Sequence, residues 1–425
     1  MTSNKLSRYC DVVSLPSTPE REGLVLLHSY RTGAQWLLEG VSFRDILPYI
    51  EGKPELLRWA KNNKIVVDAS EDELSAVLSE NTVAMQNSDE LYRVIMPTAQ
   101  CSLGCTYCGQ FHSPNKIDAL TAASILSDIE ENLGTEKYRY LKVGWFGAEP
   151  LQNLPGVRSL TQQLMQTSAR HNVHYSAKMA TNGLKLTGEV ASELIHELSV
   201  MRLDVTLDGP AHVHDSRRFS KGGKGTFEAI LGNLKSVASI RPPPGVVTVR
   251  CNVDHTNADS VEELLLILGE QGWGDAISVY FAPVHAWGDF SPQRTDSSWL
   301  AEKEIEWRYL ARHLGIPVAD LPARKYITCM ATNKHARLYD PNGKSHSCTE
   351  LPLAARETSG NAIDYDFRSF SDAIERHEVP CWQCKMLPVC GGACPKQWAD
   401  GNVPCPTFKF NAHQLLLQEL CRGNV

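Results

Sequence analysis

The sequence predicts an α/β protein: a partial (β/α)6, TIM-like barrel, preceded by a small winged-helix-like α+β domain and followed by a C-terminal cysteine-rich domain. Three observations carry this. Between residues 91 and 290, strand-like apolar runs alternate with amphipathic helical stretches, the pattern of parallel βα units. Before residue 90 the elements are shorter and ordered strand, helices, strand, helix. Ten of the thirteen cysteines fall in tight groups, seven of them between residues 329 and 405. The implied segments are 1–88, 89–290 and 291–425.

In the first segment, Gly23–His28 reads as a strand and Gly33–Gly40 as a helix closing on glycine. Two short amphipathic helices follow, at Phe43–Ile50 and Glu55–Ala60. Then come a strand at Lys64–Asp68, a helix at Asp72–Leu78 and a polar linker up to Leu91. A domain of this kind either offers a strand edge to an extended peptide or serves as a packing or dimerisation module. In the second segment, strands are expected at Tyr92–Met96, Leu141–Phe146, His174–Met179, Met201–Leu207, Val246–Val253 and Ala276–Phe281. Helices fill the intervals, for example Ala119–Leu133, with apolar residues at Leu120, Ala123, Ile125, Ile129 and Leu133. Chemistry in such a barrel belongs on the loops after the strand C-termini.

Bulk properties narrow the function. A formal net charge of −7 offers no basic face for nucleic acid. No run of 18 apolar residues exists and the first residues lack a signal-peptide core, so a soluble cytoplasmic protein without a membrane partner is expected. In a reducing compartment the cysteines are ligands rather than disulfides. Cys101, Cys105 and Cys108, spaced x3 and x2, follow the first barrel strand. Three thiolates can hold three irons of a [4Fe–4S] cubane, which normally takes four, and so leave one iron open. The other strand ends carry Gly147-Ala148-Glu149-Pro150, Thr181-Asn182-Gly183, Asp208-Gly209-Pro210 and His214-Asp215-Ser216-Arg217-Arg218. Singly these are turn signals; together they fall at one end of the barrel.

The cysteine loop with an aromatic before its last cysteine, the Gly-Ala-Glu-Pro turn and the six βα units resemble radical S-adenosylmethionine (SAM) enzymes over residues 91–290. The resemblance implies that SAM chelates the open iron and is cleaved to a 5′-deoxyadenosyl radical. It further implies SAM contacts at Tyr107, Gly147, Ala148, Glu149, Pro150, Asn182, Thr206 and Arg218. Ala148 departs from the second glycine of the family's turn. Cys329, Cys348, Cys381, Cys384, Cys390, Cys394 and Cys405 resemble the SPASM extension, which binds two auxiliary [4Fe–4S] clusters. The resemblance assigns Cys381, Cys384, Cys390 and Cys405 to a distal cluster, and Cys329, Cys348 and Cys394 to a proximal one. The proximal set is one thiolate short, which leaves Cys421, a small ligand or a substrate group to complete it.

The family implies a peptide or protein substrate and an electron donor such as flavodoxin or ferredoxin. The expected enzyme is a radical SAM oxidoreductase that matures a ribosomally made precursor peptide by an intramolecular cross-link, carbon–carbon (cyclophane-type) or thioether. Sulfatase or other protein maturation is the alternative, although Thr349-Glu350 stands where the sulfatase branch carries an Asp directly after the cysteine. Asp215, His214 and Glu350 are candidate general bases. A zinc-stabilised, non-catalytic binding protein is the alternative of another class.

Overall fold

The computed structural model describes residues 3–15, 23–135, 137–285, 295–319, 323–354 and 367–422, with backbone only at 353, 354, 368 and 420–422. It divides into two compact units. One comprises residues 88–319 and 334–365; the other comprises 1–87, 320–333 and 366–425. The cysteine-rich tail is thus shared out, most of it joining the N-terminal region in one unit.

The first of these units is the barrel. Its parallel strands are β6 (Glu90–Ile95), β7 (Tyr140–Trp145), β8 (His174–Thr181), β9 (Val200–Thr206), β10 (Val247–Val253) and β11 (Ile277–Pro283), hydrogen-bonded in chain order. Each connection carries helix, as parallel neighbours require. On the helix-covered side, Leu91, Leu141, Val143, Leu203, Val205, Val247 and Val249 are buried against Ile125, Ile129, Leu160, Leu164, Leu234 and Leu264. Burying one such side chain contributes about 1.5–3 kcal/mol. The alternate residues of the strands face the barrel interior, where polar groups collect. The sheet extends past β6 to β12 (Ala336–Tyr339), parallel to it, and β13 (Ser345–His346), antiparallel to β12. The turn between them is closed by Asp340, whose carboxylate accepts from Asn342 N and Lys344 N.

The second unit contains an antiparallel sheet, β2 (Cys10–Leu15), β3 (Leu24–Ser29) and β4 (Gln35–Glu39), and a short pair, β1 (Asn4–Leu6) with β5 (Val66–Asp68). Two features differ from expectation. Gly33–Gly40 is not a helix. Gln35–Glu39 alternates exposed and covered residues and pairs with β3, and Gly33 and Gly40 bracket it at φ +78° and +67°. The polar stretch after Leu78 is not a linker, because the helix runs on from Glu73 to Gln86 with Asp72 capping it through Ser75 N. Polar composition there marks a solvated helix face.

The cysteine-bearing tail packs on this helix. Leu74, Val77 and Leu78 share one core with Ile374, Cys381, Met386, Leu387 and Val389. Arg324 donates to Asn81 and to the Pro388 carbonyl, joining three segments of the unit. The helix Phe408–Arg422 lays Leu416 on Val13 and Leu26 of the sheet. Among the described residues, no helix is long and apolar enough to cross a membrane.

Candidate active site

The cysteine loop leaves β6 at the C-terminal edge of the barrel and is tied to the segment beyond β9. Gly104 N donates to Phe219 O (2.9 Å), Thr106 N to Arg217 O (2.9 Å) and Lys221 N to Ser102 O (2.8 Å). Cys101, Cys105 and Cys108 line one open cavity of about 300 Å³. Burial pushes all three thiols up, so their protons must leave when a metal binds. Cys101 Sγ accepts from Leu103 N at 3.4 Å and from Asn182 Nδ2 at 3.9 Å. Arg218 counters the burial at Cys105.

Of the residues expected to contact SAM, Tyr107, Gly147, Ala148, Asn182, Thr206 and Arg218 line this cavity. Glu149 and Pro150 lie behind it. Glu149 is 1 % exposed, and its carboxylate accepts from Leu151 N (3.0 Å), Thr181 Oγ1 (2.7 Å) and Asn182 N (2.6 Å). Its acid is raised by burial, partly offset by those donors. The carboxylate therefore fastens the loop after β7 to the loop after β8. Gly147 sits at φ +88°, where a Cβ would meet Met96 at 2.4 Å. Ala148 follows at φ +43°, a left-handed position costing an alanine about 1 kcal/mol.

Tyr107 is the hub. Its hydroxyl donates to Asp208 Oδ2 (2.5 Å) and accepts from Arg218 Nη1 (2.6 Å) and Asn252 Nδ2 (3.0 Å), which fills its capacity. The Arg217 guanidinium stands 5.0 Å from the ring centroid and binds Asp254. Burial opposes the Arg218 charge, but Tyr107, Cys105 and Asp208 outweigh it and hold the guanidinium protonated.

The three candidate bases separate. Glu350 lines the cavity, and its charge bears on Cys108. His214 is fully buried: Nδ1 accepts from Asp208 N (3.2 Å), and Nε2 lies 3.1 Å from Thr226 Oγ1, which donates to Arg218 O. Burial and the two neighbouring arginines lower its pKa to about 3. Asp215 caps a helix through Thr226 N and Phe227 N. Both fix the backbone that carries Arg218. Asp204, Arg250, Asn252 and His285 also line the cavity and were not anticipated. Asp204, Arg250 and Asn252 sit at alternate positions of β9 and β10, polar among Leu203, Val205, Val249 and Cys251. That period of two was the available signal.

In the other unit, Cys381, Cys384, Cys390 and Cys405 line a single small pocket. Burial and the neighbouring thiolates push Cys381 up to about 12, and burial pushes Cys390 up to about 11. Cys329 and Cys394 lie in the same unit, close enough for the Cys394 charge to raise the Cys329 thiol beyond what burial does. Cys348 is buried in the barrel unit. The Cys421 side chain lies outside the described residues. Among the described residues no group of three or more His, Cys, Asp or Glu is arranged to grip a single metal ion.

A partial barrel whose first loop presents three thiols to a cavity defines a class: a cluster-bearing barrel with one iron left for a small molecule. The comparisons make that class specific. Residues 95–268 match the Radical SAM superfamily. The chain is 32% identical over 320 residues to the mycofactocin maturase MftC of Mycolicibacterium smegmatis, covering 70% of this chain and 76% of the relative. It is 20% identical over 354 residues to the cysteine-type anaerobic sulfatase-maturating enzyme of Clostridium novyi, covering 73% and 91%. Native anSMEcpe with bound AdoMet and Cp18Cys peptide shares the fold, with a TM-score of 0.54 at 14% identity over 80% of this chain and all of that one. The chain belongs to the radical SAM superfamily and is a radical SAM enzyme related to the SPASM-type maturases. This sets aside the non-catalytic zinc protein.

Proposed function

We propose that the protein is a peptide maturase that abstracts a hydrogen from a ribosomally made precursor and closes an intramolecular cross-link, carbon–carbon or thioether. One observation carries the reading most directly: three cysteines, Arg218, Asn182 and the Gly147-Ala148 turn converge on the same cavity as a carboxylate, Glu350. The donor set fits a [4Fe–4S] cluster with SAM, held by Cys101, Cys105 and Cys108. When bound, the cluster supplies one electron to the sulfonium of SAM, whose cleavage yields the hydrogen-abstracting radical.

The chain's own residues orient and exclude. Arg218, fixed by Tyr107, would pair the SAM carboxylate. The backbone at Gly147 and Ala148 would accept from its amino group, and Asn182 and Thr206 would bound the nucleoside side. Glu350 would take the proton released when the new bond closes. Cys381, Cys384, Cys390 and Cys405 would hold one auxiliary cluster, as a route for the electron that bond closure releases, and Cys329 and Cys394, neighbours in the same unit, would serve another. The outer edge of β4 would take an extended leader segment by strand addition. Flavodoxin or ferredoxin would supply the first electron.

The relatives named as maturases support a peptide or protein substrate. Glu350 in the cavity also favours a second reading, sulfatase-type maturation with Glu350 in the base's place. Co-production with short peptides encoded beside the gene, read by mass spectrometry, separates the two. Loss of two hydrogens with fragmentation blocked inside a ring is expected. Formylglycine in a sulfatase-derived peptide, with no ring in any encoded peptide, would overturn the cross-linking reading.

A further inference from the structure

The pocket formed by Cys381, Cys384, Cys390 and Cys405 is otherwise lined by Pro380, Leu387, Gly392, Ala393, Trp398 and Pro406, with one cationic side chain, Lys409. Lys409 Nζ donates to Cys405 Sγ at 3.2 Å. The chain places it there: Lys409 is the second residue of the helix Phe408–Arg422, four residues after Cys405, and its N–H closes a turn on Pro406 O at 3.1 Å. The Trp398 indole is committed elsewhere, to Gly392 O at 2.8 Å. At the SAM-facing loop the donors to Cys101 are neutral, a backbone amide and the Asn182 carboxamide. The Arg218 charge bears on the three thiols of that loop, whereas in the four-cysteine pocket a cation donates to a ligand sulfur itself.

We propose that Lys409 raises the reduction potential of the four-cysteine centre, making it the acceptor of the electron released at bond closure. A cubane held by four thiolates is already anionic, and reduction adds one more negative charge. A cation in contact with a ligand sulfur stabilises the reduced form more than the oxidised form, and a hydrogen bond to sulfur acts in the same direction. The walls are largely apolar, but Lys409 is only half-buried, so solvent screens part of the contact. The electrons balance: the substrate radical loses one electron and one proton on closing its bond, the centre gains the electron, Glu350 takes the proton, and a one-electron carrier protein later reoxidises the centre.

The proposal rests on the auxiliary-cluster reading, and the test separates the two. The full-length wild type, Lys409→Met, Lys409→Arg and Cys384→Ala are reconstituted anaerobically, assayed for iron and sulfide, and titrated potentiometrically with detection by electron paramagnetic resonance. The signal that Cys384→Ala removes belongs to this centre. In Lys409→Met, with iron complete, that signal moves to lower potential. At the wild-type midpoint the reduced-to-oxidised ratio falls about tenfold, which is about 59 mV. Lys409→Arg recovers most of the shift. An unmoved midpoint in Lys409→Met overturns the role of Lys409 while leaving the cluster intact. Should Lys409→Met lose the iron, Lys409→Gln decides, and a wild-type midpoint in it overturns the proposal. A wild type with no signal sensitive to Cys384→Ala overturns the auxiliary-cluster reading and the proposal with it.

Discussion

Removing one oxygen atom tests the organisation of the active site. Tyr107→Phe keeps the ring under Arg217 and leaves the three cysteines in place, but it strips a shared partner from Asp208, Arg218 and Asn252. Two of the three lost hydrogen bonds involve charged groups, worth about 1.5–3 kcal/mol each, and the third about 1 kcal/mol. Asp208 and Arg218 recover part of this by drawing together across the space the hydroxyl leaves. A net loss of about 1.5–3 kcal/mol remains, and in the bound state it falls on Arg218, the group assigned to the SAM carboxylate. SAM affinity should therefore drop roughly 10- to 100-fold. Iron content should stay unchanged, since each cysteine keeps its backbone ties. The assay is a SAM titration of the anaerobically reconstituted enzyme, following the change that SAM causes in the cluster's paramagnetic spectrum. A dissociation constant within twofold of wild type would refute the hub. Loss of iron alongside affinity would show that Tyr107 holds the cluster loop rather than Arg218.

Three further outcomes are expected. Cys105→Ala abolishes SAM cleavage, whereas Cys384→Ala leaves uncoupled cleavage to 5′-deoxyadenosine without product; equal loss in both would make the four-cysteine centre purely structural. Glu350→Gln keeps SAM cleavage but lowers product formation by at least about a hundredfold, the lower end of general-base contributions, and undiminished product would remove Glu350 from that role. Acidification destabilises the fold through its buried histidines. Burial lowers His28 to about 4 and, with Arg218 and Arg217, His214 to about 3, both from 6.5. Below pH 6.5 the unfolded chain binds more protons, so stability present above that value is lost as pH falls. Each histidine costs about 1.4 kcal/mol between pH 7.5 and 5.5. Urea midpoints at the two pH values should show a smaller loss in His28→Gln, and an unchanged loss would contradict the burial argument.

The barrel was legible because its signal is long-range and periodic. Six apolar runs separated by amphipathic helices leave few topologies, and the helix Ala119–Leu133 falls where its 3.6-residue stripe placed it. The N-terminal region was harder. In Gly33–Gly40 local helix propensity competes with a five-residue hairpin strand whose only local mark is alternation around Trp36 and Leu38. The extension of the sheet by β12 is a tertiary event that Ala336–Tyr339 does not announce locally.

At the site, cysteine spacing and strand-end turns located the cavity's rim, since ligand offsets are written along the chain. The interior was less visible. Asp204, Arg250 and Asn252 become neighbours only when parallel strands set their alternate residues side by side. His214 and Asp215 looked alike in sequence to reactive polar groups; burial and capping bonds, which no motif records, set them to holding the backbone before Arg218.

The central claim is that a radical formed in this cavity takes a hydrogen from a peptide. The direct measurement is isotope transfer: the reduced enzyme is given SAM and a uniformly deuterated precursor peptide, and the mass of the 5′-deoxyadenosine is read. The account predicts 5′-deoxyadenosine carrying one deuterium in proportion to modified peptide. Modified peptide accompanied by unlabelled 5′-deoxyadenosine would contradict it.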